Sequence, residues 1–91
     1  MNGAQLRTAL ALHAAACAHL NICGDGIDVQ LGPSHSGGCH YELRVLGSLA
    51  GRVWSEPELS AAEVAIGRHL EGRDTFVLLL TEQRITTPTA G

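Results

Sequence analysis

Phe76-Val77-Leu78-Leu79-Leu80 is an unbroken apolar run, bounded by Thr75 and Thr81 and followed by Glu82, Gln83 and Arg84. It is far too short to cross a membrane. A run of this length without polar alternation suits a central strand buried on both faces, so the chain is expected to build a sheet around it. Its 91 residues bury a smaller share of their surface than a typical domain, which limits the chain to one core. Only three aromatic residues are available, so that core has to be made of Leu, Val, Ile and Ala.

The remaining elements follow from periodicity and punctuation. Residues 3 to 20 predict a helix, because Leu6, Ala9, Leu10, His13, Ala16, Cys17 and Leu20 recur on one helical face. Asn2 is placed to cap it, and Asn21 with Gly24 to end it. The opposite face carries Ala11, Ala14, Ala15 and Ala18, and Arg7 is the only formal charge. A helix without a polar face is usually covered on both sides, and in so small a protein the second cover is expected from a partner subunit in a homodimer.

Ile27, Val29 and Leu31 alternate with Asp28 and Gln30 after the turn Gly24-Asp25-Gly26, which predicts a half-buried strand stopped by Gly32-Pro33. Tyr41, Leu43 and Val45 alternate with Glu42, Arg44 and Leu46. A further run through Gly51, Val53 and Trp54 reads as the second arm of a hairpin. A three-residue loop, Gly47 to Leu49, sets Leu43 opposite Val53 on the core face, and with it Arg44 opposite Arg52 and Glu42 opposite Trp54.

Ser55-Glu56-Pro57-Glu58 then fits a capping box with proline in the first turn, while Ser60 to Glu63 offers a rival start. Leu59, Ala62, Ile66 and Leu70 form the stripe of this second helix, Val64 and Arg68 point elsewhere, and Gly72 closes it. The order α-β-β-β-α-β predicts an α+β fold, with two helices packed on a small, mostly antiparallel sheet of about four strands. Residues 1–85 are expected to form a single domain and 86–91 a flexible C-terminal tail.

The net charge is −3, and the six basic residues, all arginine, are scattered from Arg7 to Arg84. There is no basic stripe to follow phosphates, which argues against direct nucleic-acid binding. The longest candidate for a membrane span, residues 8 to 20, is interrupted by His13 and His19. Three cysteines cannot all pair within one chain, and the N-terminus lacks a basic segment followed by an apolar one. The expectation is a cytoplasmic protein with free or ligating thiols.

All three cysteines and four of the five histidines fall between positions 13 and 40. His13 and Cys17 stand four apart on one helical face, and with Cys39 and His40 they make a candidate tetrahedral zinc site. The spacing lacks the close Cys-x2-Cys pair of common structural zinc sites, and Cys17 serves equally as a small core residue. Within GPSHSGGCHYELRV, Cys39 or Ser36 beside His35 or His40 is a candidate thiol- or histidine-dependent catalytic group. Cys39 and His40 project to opposite faces, however, if a strand has already begun there. Gly37-Gly38 is a weak phosphate-cradle signal, because a strand and not a helix follows.

The interaction reading gathers Glu42, Arg44, Arg52 and Trp54 on the outer face of the hairpin and adds the exposed Val64 and Arg68 of the second helix. Arg and Trp are the side chains that most often dominate interface energies. A competing reading folds Trp54 inward as the largest residue of an aromatic-poor core. The function expected is a small non-enzymatic protein–protein interaction module, an inhibitor, immunity or adaptor protein of a bacterium or phage. It would dock on a larger protein or nucleoprotein complex without a cofactor. A zinc-binding domain is the first alternative, and a small enzyme centred on Cys39 the second.

Overall fold

A computed structural model describes residues 2–34, 37–46 and 54–81. Five elements follow in order: α1 (Gly3–Leu20), β1 (Ile27–Pro33), β2 (Cys39–Leu46), α2 (Glu56–Gly67) and β3 (Thr75–Thr81), with a 3-10 turn at Gly24–Gly26 before β1. The α+β class and the presence of both helices agree with the sequence, but α2 ends at Gly67 with Arg68 as its C-cap, short of the expected Leu70 and Gly72. Among the described residues the sheet has three strands, ordered β1-β2-β3. β1 runs antiparallel to β2, and β2 parallel to β3, so the sheet is mixed.

Local chemistry sets the helix ends. The Asn2 side chain accepts the Gln5 N–H at 2.8 Å while the Gln5 side chain accepts the Asn2 N–H at 3.0 Å, a reciprocal cap. Asn21 ends α1 in the left-handed conformation, φ 54°. Ser55 and Glu58 form the same reciprocal cap on α2, with Pro57 in the first turn, so the earlier of the two candidate starts is used.

β2 is the spine of the sheet. Cys39, Tyr41, Leu43 and Val45 are buried and alternate with half-exposed His40, Glu42, Arg44 and Leu46. The buried set meets α1 through Ala9, Leu12, Ala16 and Leu20, and α2 through Ala62 and Ile66, in one core. Helices therefore cover one face of the sheet, and the opposite face is open among the described residues.

Three expectations are corrected. The hairpin loop, Val53 and Arg52 lie outside the described residues, but β2 takes β1 on one edge and β3 on the other from His40 to Val45. No edge is left for a strand through Trp54, so Arg44 faces Asp28 and Leu79, and Glu42 faces Gln30 and Val77. β2 ends at Leu46 and is followed in the sheet by a parallel strand, for which a hairpin turn would be too short. The second correction concerns β3, which occupies an edge of the described sheet, with Phe76 to Leu80 half-buried. Its run is as apolar as a central strand, yet among the described residues it has a strand neighbour on one side only.

The third lies on α1. Leu12 is fully buried, whereas Leu6 and Leu10 are 48% and 60% exposed. Alanine on every side leaves the helix almost without a preferred face, so the apolar spacing did not fix its rotation.

Candidate interaction surface

The open face of the sheet is built from alternate residues of its three strands. Asp28 and Gln30 come from β1, His40, Glu42 and Arg44 from β2, and Thr75, Val77 and Leu79 from β3, as the register requires. Arg44 stands in the middle. Its Nη2 donates to Glu42 Oε1 at 3.4 Å, and both side chains are substantially exposed. A pair of that length and exposure adds little to stability. The Nε of Arg44 is buried and has no hydrogen-bond partner among the described residues. A buried donor without an acceptor is costly, while the side chain as a whole is 43% exposed and open to an acceptor from outside.

At one end of this face His40 Nδ1 and the Thr75 hydroxyl share a hydrogen bond of 2.7 Å, tying β2 to β3. Val77 and Leu79, both half-buried, form an apolar strip beside Glu42 and Arg44. Among the described residues the face thus offers one cation, two carboxylates and an aliphatic strip.

Of the residues expected to contact a partner, Glu42 and Arg44 share this face. Val64, 59% exposed, lies on α2 and Arg68 caps its C-terminus, both in the opposite layer. Trp54 belongs to neither surface, being 4% exposed with its indole N–H donating to the Leu20 carbonyl at 2.9 Å. That bond satisfies one of the carbonyls orphaned at the end of α1 and explains why the single Trp turns inward. The expected Glu42–Trp54 pairing is therefore replaced by Glu42 beside Val77. Arg52 lies outside the described residues.

The cysteine and histidine cluster divides between the two ends of the β1–β2 pair. His13 Nε2 lies 2.9 Å from the Gly24 carbonyl and 3.2 Å from that of Ile27, at the start of β1. Both neighbours only accept, so the proton resides on Nε2 and the imidazole joins α1 to the entry of β1. The Nδ1 atom is left to accept from the Cys17 thiol, 3.9 Å away. Burial, and then the nearby Cys23, push the Cys17 thiol above its ordinary pKa. Cys39 pairs with Pro33 at the far end of β1, six positions from Ile27 or about 20 Å along the strand. The four candidate zinc ligands are thus two separate pairs, and His13, Cys17, Cys39 and His40 do not converge.

Cys39 and His40 do not form a dyad either. Cys39 is 8% exposed and faces the helices, while His40 is on the open face bonded to Thr75. The Cys39 N–H donates to the Asp74 carboxylate at 2.9 Å, so this acid secures the start of β2. Ser36 and His35 lie outside the described residues. Gly37, at φ 94°, and Gly38 serve the turn: a Cβ on Gly38 would stand 2.5 Å from the Arg73 carbonyl group. The glycines allow the two backbones to meet, with no helix N-terminus behind them.

What sequence reasoning missed is the contribution of Asp28, Gln30, Val77 and Leu79 to the same surface as Arg44. The alternation in β1 carried part of the signal. The unbroken run in β3 concealed the rest, because it gives no sign of which face is open. Comparison of the chain with family models, with curated proteins and with solved structures finds no match.

Proposed function

We propose that this protein is a non-enzymatic interaction module that docks on a larger protein through the open face of its sheet. Arg44 is the anchor, receiving a carboxylate or carbonyl oxygen of the partner. Val77 and Leu79 supply apolar contact beside it, and Asp28, Gln30 and Glu42 form a polar rim. The observation that carries this reading is the 43% exposed side chain of Arg44, held among the described residues only by a 3.4 Å contact to Glu42, at the centre of a half-apolar face. Arginine beside aliphatic contact suits an interface centre, where water is excluded and a charge-assisted hydrogen bond gains strength. By its size and its lack of an assembled catalytic group among the described residues, the molecule is comparable to inhibitors, immunity proteins and adaptors of bacteria and phages. This reading places it in the cytoplasm.

Affinity capture from the native host with the tagged chain tests this reading. A partner held by the wild type and by Val64→Glu and Arg68→Glu, but weakened at least about tenfold by Arg44→Glu, is the expected result. Loss on the α2 substitutions with Arg44→Glu unaffected would move the interface to the helical layer and overturn the proposal.

A further inference from the structure

The two edges of the sheet are built differently. β1 presents Asp28 and ends in Gly32-Pro33, residues that discourage another strand from pairing. β3 carries neither charge nor proline from Thr75 to Thr81. Its first edge pairs with β2, and among the described residues no strand takes the second. Phe76, Leu78 and Leu80 lean toward the helices while Val77 and Leu79 lie on the open face, all half-buried. The parallel crossover through α2 thus sets the most apolar strand of the molecule at the rim, where a strand of this kind is a template for association.

The sequence of β3 is self-complementary when read in both directions. With a two-fold axis at Leu78, Phe76 falls opposite Leu80, Val77 opposite Leu79, and Thr75 opposite Thr81. Residues directly opposite in an antiparallel pair point to the same side, so this register keeps both helical layers on one face and both open faces on the other. Sliding the copies by one residue would set inward side chains against outward ones. A slide that instead moved the axis to Val77 would set Leu80 opposite Asp74.

We infer that β3 is the seam of a symmetric homodimer, in which two copies of this chain pair antiparallel, edge to edge, about Leu78. The three-stranded sheet becomes one continuous sheet of twice that number, ordered β1-β2-β3-β3-β2-β1. The contact is isologous and closes on itself, and the Asp28 and Pro33 edges left outside stop further growth. The seam is formed by backbone pairing at the rim of the sheet and is read by sedimentation of the chain alone, so its failure is distinguishable from failure of the docking reading, although Val77 and Leu79 belong to both surfaces.

Sedimentation of the full chain, with two double variants, tests it. The wild type is expected to sediment as a dimer at about 100 µM and to dissociate on dilution. Val77→Lys/Leu79→Lys and Val77→Glu/Leu79→Glu each place like charges opposite one another across the seam, so each alone is expected to be folded and monomeric. An equimolar mixture is expected to recover the dimer, because new lysines of one chain then face new glutamates of the other. A monomeric wild type, a dimer unchanged by either variant, or a mixture that stays monomeric would each overturn the inference. Should a variant fail to fold by circular dichroism, hydrogen exchange of the native chain decides. Amides of β3 that point away from β2 gain protection with rising concentration if the seam forms, and are unaffected if it does not.

Discussion

Trp54 illustrates how a single side chain decides between core and surface. Its indole N–H reaches the Leu20 carbonyl, so the ring joins the segment before α2 to the end of α1. Trp54→Phe keeps most of the apolar area but orphans that carbonyl, and is expected to cost about 1–3 kcal/mol in urea unfolding followed by circular dichroism. A cost near zero would show that the bond contributes nothing. The thiols give a second residue-scale expectation. Cys23 is exposed, Cys39 is buried, and Cys17 is partly buried with its pKa raised by burial and by Cys23. Reaction with a disulfide reagent near neutral pH should therefore show one fast thiol and two slow ones, with the fast phase removed by Cys23→Ser. A fast Cys39 would revive the enzymatic alternative. His13 shows what spacing alone leaves open: its distance of four from Cys17 was legible, but whether its ring would bind a metal or two carbonyls depends on the turn at Gly24, eleven residues away.

Caps and alternation were readable at the scale of the element because they are local. Asn2, Asn21 and Ser55 sit where their side chains or backbone angles terminate helices, and the alternating Tyr41, Leu43 and Val45 fixed the buried face of β2. Which strands neighbour one another is not local. The alternation at Val53 and Trp54 suggested a hairpin, but both edges of β2 are filled from elsewhere in the chain. The close approach of Gly38 to Arg73 belongs to the same class of long-range fact. Gly38→Ala is expected to force the start of β2 away from the turn before β3, lowering stability by about 1–3 kcal/mol in thermal or chemical unfolding. Full stability in that variant would mean that the two backbones are not in close contact.

For the molecule as a whole, the core is a single aliphatic layer organised around Tyr41, which is 1% exposed. Burial raises the pKa of its phenol, as do, to a smaller extent, a hydrogen bond to Cys39 and the charges of Cys39 and Asp74, while Thr8 acts in the opposite direction. Raised in the fold, the phenol contributes stability that is intact below the unfolded-state value of about 10 and is lost as pH climbs through the folded value. Unfolding free energy should therefore decline above about pH 10. Tyrosinate absorbance, from the only tyrosine, should appear together with unfolding. Tyrosinate forming well below that range in the folded protein would contradict a buried phenol. The helices thus enclose one face of the sheet and leave Arg44 to the other. The central claim is that this open face is where the molecule meets its partner, and site-specific photo-cross-linking in the native host tests it most directly. A photo-reactive residue at Gln30, exposed on the open face, should capture the partner, whereas one at Val64 on the helical layer should not. Capture from position 64 and none from position 30 would contradict the account.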